Sequence, residues 1–390
     1  MKNTLKISIA IAVIAIIVIG VFAATYLGQP ASSTNPSPNI SPTISPTSSP
    51  TSSLSTPVTL NAAGASFPYP LLTEIIEAYN LIKSNVQINY QPTGSGAGIT
   101  SLKDRLVDFA GSDAPLSESD MQTISNVVQI PETIGAVAVT YNWGSETSPG
   151  IQLTGQIIAD IFQGKITKWN DDSIAQINPG ITLPDKTITV VHRSDGSGTT
   201  FIFTSYLCKV SASWESEVGH GKSVSWPTGV GSSGNAGVAG VVKGTPYTIG
   251  YVELAYAEEN SMPVAKVQNP SGNYILPTMV STELAASSAA SAGLPAGHES
   301  WANVDILNAE GSEAYPIVSF SYLMVYKELN VISGMTQEKA TALVDFLWYI
   351  VHDGQEIAPE LLYASLPDNV ITINEATLRS ITFNGQTLIS

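Results

Sequence analysis

The run His192-Arg193-Ser194-Asp195-Gly196-Ser197-Gly198-Thr199-Thr200 stands between a β-branched stretch, Thr187 to Val191, and an apolar, helix-compatible stretch, Phe201 to Leu207. A strand that feeds a helix through Gly, Ser and Thr leaves several backbone N–H groups without partners in the first helical turn. The helix dipole adds partial positive charge at the same place. Such a turn can hold an anion. Arg193 can fork onto two oxygens of a tetrahedral oxyanion, and the hydroxyls of Ser197 and Thr199 can donate to others. Taken alone, the same residues read equally well as a capped helix start.

The pattern recurs. From Val58 onward, short β-rich runs alternate with helical segments, which is the mark of an α/β fold with a mainly parallel sheet. Val58 to Asn61 leads to Gly64-Ala65-Ser66-Phe67-Pro68-Tyr69-Pro70 and a helical segment over Leu71 to Tyr79. Val86 to Tyr90 leads to Thr93-Gly94-Ser95-Gly96-Ala97-Gly98 and a helix from Ile99. Val107 to Ala110 leads to Gly111-Ser112-Asp113-Ala114-Pro115, after which Ser117 and Asp120 form a capping box. In open α/β sheets ligands sit beyond the carboxyl ends of the strands, so these polar turns can converge on one site.

With 390 residues, of which 43% are hydrophobic and 12% charged, the chain can build a well-packed core of two domains. The formal net charge of -16 argues against a nucleic-acid partner, because that field repels a polyanion. An anionic ligand must therefore be captured by short-range, directed hydrogen bonds. The single cysteine, Cys208, excludes an internal disulfide framework and a multi-thiolate metal site, and its apolar surroundings predict a buried structural thiol. His192, His220, His298 and His352 lack metal-ligand spacing. No metal and no cofactor are expected.

Ile7 to Leu27 is a run of 21 uncharged, mostly apolar residues preceded by Lys2 and Lys6. It is long enough to span a bilayer, and residues 1–29 are expected to be an uncleaved membrane anchor or a signal segment, with Val21-Phe22-Ala23 as the alternative cleavage site. Either way the remainder is exported. No cysteine follows the run, which excludes a lipid anchor on an N-terminal cysteine. Residues 30–57 are rich in Ser, Thr and Pro and carry no charged side chain, a composition that makes a stalk and not a domain. At about 3.1 Å per residue it would reach on the order of 90 Å when extended. Asn39-Ile40-Ser41 within it is a glycosylation sequon.

Several stretches in register carry a specific resemblance. Gly64-Ala65-Ser66-Phe67-Pro68, Gly94-Ser95-Gly96, Asp108 to Pro115 and Arg193 to Thr199 are joined by Ile161 to Trp169, Ile249-Gly250-Tyr251-Val252-Glu253 and Tyr363 to Asp368. From about Val58 to Asn369 the chain resembles the substrate-binding proteins of the high-affinity phosphate ABC importer, the Pst system. The resemblance implies a type II periplasmic-binding-protein fold of two α/β lobes, with a ligand cleft between them. Crossovers are expected near Glu132 to Ile134 and Tyr315 to Ile317, giving a first lobe of residues 58–133 and 316–390 and a second of 134–315. It also implies a monomer that captures inorganic phosphate and delivers it to a membrane permease. The phosphate ligands carried over are Ser66, the Phe67 backbone, Ser95, Asp113, Arg193, Ser197, the Gly198 backbone and Thr199. Ser66 stands where many relatives have Thr and keeps the hydroxyl. Asp195 matches a carboxylate that pairs with the arginine and holds its guanidinium in place.

Several of these residues admit a second reading. Asp113 can simply cap the next helix, and Arg193 can form an ordinary salt bridge with Asp195. Val218 to Ser223 ends like a P-loop, but the glycine required at position 216 is Ser, so a surface turn is expected. Gly231 to Asn235 reads as a loop near the cleft whose role nothing decides. Phe346, Trp348 and Tyr349 recur at helical spacing and read as core. An enzyme is disfavoured, because no G-x-S-x-G elbow surrounds Ser66, Ser95 or Ser197 and no metal cluster is visible. A receptor for sulfate or molybdate is opposed only by Asp113.

Overall fold

The structure is a computed structural model that describes residues 57–146, 150–287 and 293–389. The expected anchor and, but for Pro57, the expected stalk lie outside the described residues. Among the described residues no helix is long and apolar enough to cross a membrane.

Eight strands form one continuous sheet in the order β2-β1-β3-β11-β4-β8-β6-β7. They are β1 (Val58–Gly64), β2 (Val86–Gln91), β3 (Phe109–Ser112), β4 (Val127–Asn142), β6 (Thr189–Arg193), β7 (Val230–Ser232), β8 (Thr248–Glu253) and β11 (Val318–Tyr326). β5 (Gln152–Leu153), β9 (Lys266–Gln268) and β10 (Tyr274–Ile275) make a small separate sheet, and β12 (Thr382–Phe383) and β13 (Gln386–Thr387) a hairpin.

Two parallel groups, β2-β1-β3 and β8-β6-β7, are joined by antiparallel strands in the middle. The joint is β4. Its residues Val127 to Ala136 pair with β11, and Val137 to Asn142 pair with β8. A single strand thus leaves one half of the molecule and enters the other between Ala136 and Val137. The burial pattern explains why these segments are strands. β1 alternates exposed Thr59 and Asn61 with buried Val58, Leu60 and Ala62, as an edge-proximal strand should. β8 is buried throughout and β4 in all but its last residue, because helices cover both faces.

The halves carry separate packing centres. In the first, the helix Gln337–Val351 places Phe346 against Tyr79 and Phe109, with ring centroids 5.1 and 6.0 Å apart. The expectation of a core stripe holds fully for Phe346, whereas Tyr349 and Trp348 are half-buried at the edge of the core, the first against Tyr79 and the second between His352 and Arg379. In the second, Phe162, Phe203 and Tyr251 cluster around Trp226 and Trp214.

The strand-to-helix turns of the first half sit on one another's backbones. A β-carbon added at Gly98 would lie 2.5 Å from the Cα of Gly64 and 2.7 Å from the carbonyl oxygen of Ala63, distances that real side chains do not tolerate. Gly98→Ala should therefore destabilise the fold by about 1–3 kcal/mol, the usual cost of overpacking, and do so through displaced turns. Chemical denaturation checks this; an unchanged midpoint would show that the turns are not in tight contact.

Candidate functional site

The four strand-to-helix turns singled out in the sequence come together between the two halves, and their key side chains are all nearly inaccessible to solvent. Ser66, Ser95, Asp113, Arg193, Ser197 and Thr199 are between 0 and 4% exposed. From the first half come Ser66 after β1, Ser95 as the first residue of the helix Ser95–Lys103, and Asp113 after β3. From the second come Arg193 at the end of β6 and the start of the helix Gly198–Val210.

Contacts across the site are short. The Gly198 amide donates to Ser95 Oγ at 3.0 Å, and the Gly96 amide donates to the Gly196 carbonyl at 2.8 Å. A β-carbon at Gly198 would fall 2.6 Å from both the Asp113 carboxylate and Ser95 Oγ, so only glycine allows this approach. Tyr256 donates to the Ser66 carbonyl at 2.6 Å, and Tyr363 to the Phe67 carbonyl at 2.7 Å. The ring of Phe67 is fully buried and lies where Gly135 lacks a side chain.

Arg193 is held rigidly. Its Nε and Nη2 donate to Asp195 Oδ1 and Oδ2 at 2.8 and 2.5 Å, and its Nη1 donates to Thr199 Oγ1 at 3.3 Å. Burial pushes the pKa of Asp195 up, but the hydrogen bonds and charge of Arg193 outweigh it and hold the carboxyl below the ordinary value. Asp195 Oδ1 also accepts the Gly234 amide at 3.1 Å, which fixes the helix Gly234–Gly244.

That helix delivers the residue sequence reasoning left undecided. Asn235 is fully buried; its amide nitrogen and Nδ2 donate to Ser66 Oγ at 3.1 and 3.2 Å, and Nδ2 also reaches Thr199 Oγ1 at 3.1 Å. Its Oδ1 accepts the Glu253 amide. The stretch Gly231 to Asn235 lies at the site but is not the loop expected, since Gly231 and Ser232 end β7 and Gly234 and Asn235 open the helix, and the bridging role depends on pairings that no local pattern encodes.

The hydroxyls share one property. Ser66 Oγ accepts two N–H groups from Asn235, Ser95 Oγ accepts the amides of Gly198 and Asp113, and Thr199 Oγ1 accepts from Arg193 and Asn235. Ser197 Oγ accepts the Thr200 amide as the helix N-cap, so the capping reading is correct for this residue and does not compete with a second use of its hydrogen. With lone pairs engaged by N–H donors, what each hydroxyl has left to offer is its own proton. The site is a cluster of donors at helix N-termini.

Two acids stand among them. Asp113 is pushed up to about 7 by burial, against the opposing hydrogen bonds of Ser321 and Ser95 and the charge of Arg193. Glu132 on β4 is pushed up to about 8 by burial and by the charge of Asp113, with the Ser321 hydrogen bond opposing. Glu132 was expected only at a crossover between lobes, and Ser321 carries no local signal of a site.

The segment expected to be a surface turn has a further role. The Lys222 carbonyl accepts the Ser197 amide at 2.8 Å, and Lys222 Nζ lies 3.4 Å from Asp120 Oδ2, opposite in the fold. Asp120 also completes the expected capping box with Ser117. Cys208 is only partly buried, with Sγ 3.9 Å from His220 Nδ1, because it packs at the edge of the core where its helix borders a groove. His192 stacks on Trp226 and its Nδ1 lies against the Arg193 carbonyl, so the imidazole serves packing. Among the described residues no group of three or more His, Cys, Asp or Glu side chains could hold a metal ion.

Two α/β halves joined through central strands, with donor-rich helix N-termini facing one buried site, define a two-lobed solute-binding protein. A family model, the PBP superfamily domain, matches residues 45–353. The phosphate-binding protein PstS of Xylella fastidiosa strain 9a5c is 43% identical over 324 residues, covering 82% of this chain and 84% of that protein. The protein of the same name from Methanocaldococcus jannaschii is 41% identical over 332 residues, covering 81% and 84% respectively. The solved structure of a high affinity periplasmic phosphate-binding protein (PfluDING) bound with phosphate superposes with a TM-score of 0.64 at 20% identity, covering 82% of this chain and 93% of that one, a likeness of fold. The chain belongs to the PstS family of the PBP superfamily.

The raised acids make a stability prediction. Both carboxyls bind protons more tightly in the fold than in the unfolded chain, so their contribution is full below about pH 4 and is lost as pH rises through about 7 and 8. In ligand-free protein, Asp113→Asn should flatten this alkaline loss and gain roughly 1–3 kcal/mol over the parent at pH 9. Urea midpoints from pH 5 to 9 measure it; parallel curves for the two proteins would show that Asp113 ionises normally.

Proposed function

We propose that this protein is an extracytoplasmic receptor that captures inorganic phosphate and delivers it to the membrane permease of an ABC importer. The observation that carries the reading is the cluster of buried hydroxyls whose lone pairs are filled by N–H groups, set beside Arg193 and the buried carboxyl of Asp113. Curated relatives named phosphate-binding protein PstS, at 40–43% identity, support the same ligand.

In this reading the anion is held by the hydroxyls of Ser66, Ser95, Ser197 and Thr199, the backbone amides of Phe67 and Gly198, and the guanidinium of Arg193, with Asp195 as its support. Donors at helix N-termini supply short-range attraction that outweighs the repulsive net charge. Asp113 accepts. Near neutral pH phosphate still carries a proton that can donate to a carboxylate, whereas sulfate presents a bare oxygen there. The serines act by donating to the ligand, and the protein binds without turnover.

The lobes assigned are residues 58–133 with 316–390, and 134–315, and the change of partner along β4 between Ala136 and Val137 supports a boundary within a few residues of that division. Closure of the lobes and binding form one equilibrium. The protein acts as a monomer, and residues 1–29 tether it through the stalk of residues 30–57, so that the folded body stands clear of the membrane it serves.

Calorimetry of residues 58–390 should give binding in the order phosphate, then arsenate, with sulfate weaker by roughly 10⁴-fold or more. Equal affinity for sulfate and phosphate would overturn the ligand assignment. Asp113→Asn should admit sulfate measurably while keeping some phosphate affinity.

Arg193→Lys keeps the charge and loses the planar fork, and the expected loss is about 2–4 kcal/mol of binding free energy. An affinity within twofold of the parent would mean that Arg193 serves Asp195 alone.

A further inference from the structure

Glu132 occupies an unusual place in the sheet. Along the β4–β11 ladder Ser321 is opposite Thr133 and Tyr322 is opposite Pro131, so Glu132 is the extra residue of a β-bulge. Pro131 has no N–H to lose, which is why a central strand tolerates it at this irregularity. The bulge turns the Glu132 side chain inward, where it is 1% exposed.

There a proton count becomes decisive. Ser321 Oγ lies 3.0 Å from Glu132 Oε1 and 2.9 Å from Asp113 Oδ1. A hydroxyl has one hydrogen and can donate to only one of two carboxylates. The second contact closes only if one acid carries a proton and donates it to a lone pair of Ser321. Two ionised carboxylates facing one hydroxyl in a buried site would leave an acceptor against an acceptor.

The surroundings decide which acid holds the proton. Asp113 is faced by the positive charge of Arg193 from β6 and by Ser95 from its helix, both of which favour the ionised form. Glu132 meets burial and the negative charge of Asp113, and Ser321 alone favours its ionised form. Tyr90 from β2, Glu253 from β8, Tyr256 and Tyr363 line the same region and carry no positive charge.

We propose that protonated Glu132 is a positioning residue: it donates to Ser321, which donates to Asp113, so that the carboxylate facing the ligand is held ionised and correctly aimed as a proton acceptor. The step moves no electrons and breaks no bond; one carboxyl proton and one hydroxyl proton fill a two-link chain. The proposal rests on the phosphate reading above and adds the residue that sets the state of its selectivity element. When Glu132 loses its proton, Ser321 can satisfy only one acid and a second negative charge enters the site. Phosphate affinity must then fall on the alkaline side.

Two measurements test this. In protein labelled with ¹³C at Glu carboxyl carbons and free of phosphate, one Glu resonance should titrate near pH 8. It should vanish in Glu132→Gln and persist in Glu253→Gln, which also serves as the assignment should the first variant not fold. Calorimetric titration with inorganic phosphate from pH 6 to 9.5 should show parent affinity falling about tenfold or more above the midpoint of that resonance. Glu132→Gln, whose amide donates to Ser321 but cannot ionise, should match the parent within about threefold at pH 6.5 and lack the alkaline fall. The absence of a Glu titrating in that range overturns the proposal, as does a Gln variant whose affinity tracks the parent at every pH. If phosphate does not bind at all, the functional reading fails, while the titration still reports where the proton sits.

Discussion

A buried guanidinium is tolerable only when its charge is met, and the pair formed by Arg193 and Asp195 is the contact on which the rest of the site depends. Both carboxylate oxygens are used, and the same carboxylate takes the Gly234 amide. Fixing that amide fixes the helix behind it, and with it Asn235, whose nitrogens cross to Ser66 in the other half of the molecule. One ion pair therefore orients a charge, a helix and a bridge between the halves. Arg193 retains Nη1 for Thr199, because a planar guanidinium can serve several partners without rearranging.

The protein solves a problem set by its own charge. At -16 it repels anions at long range, yet the buried polar turns that converge between its halves are built of donors at helix N-termini. Long-range repulsion is screened within about 8–10 Å at ordinary ionic strength, whereas a buried N–H or O–H acts at contact in a low dielectric. Filling the oxygen lone pairs of Ser66, Ser95 and Thr199 with N–H groups removes their freedom to accept. Such hydroxyls discriminate by chemistry: they can satisfy an acceptor and have little to offer a donor.

Against that background the buried acids matter most. A carboxylate among donors is costly in isolation, and burial pushes Asp113 and Glu132 upward together. The cost is contained by placing Ser321 between them and Arg193 nearby, and the bulge in β4 is what makes the geometry possible. Because β4 is also the strand that passes from one half to the other, the element that links the lobes presents one of the acids that determine the charge state between them.

Much of this was legible in the chain. The alternation of β-branched runs with Gly/Ser turns determined an α/β architecture, since period-two and helical patterns bury different faces. The turns at Ser66, Ser95, Asp113 and Arg193 to Thr199 read locally as helix starts with unpaired donors, and the structure brings them to one place. The capping box at Ser117 and Asp120 was equally local. What remained hidden depends on distant partners: Asn235 meets Ser66 across 169 residues of sequence separation, and Ser321 meets Asp113 across 208. Cys208 is more exposed than its apolar neighbours implied, because exposure is decided by what packs opposite and not by neighbouring residues. Pro131 is compatible with a bulge beside Glu132, but only the slip in register against β11 shows that there is one and that it turns the Glu132 side chain inward. Local sequence sets which backbone groups lack partners, while tertiary packing alone decides which distant groups supply them and where the remaining protons must reside.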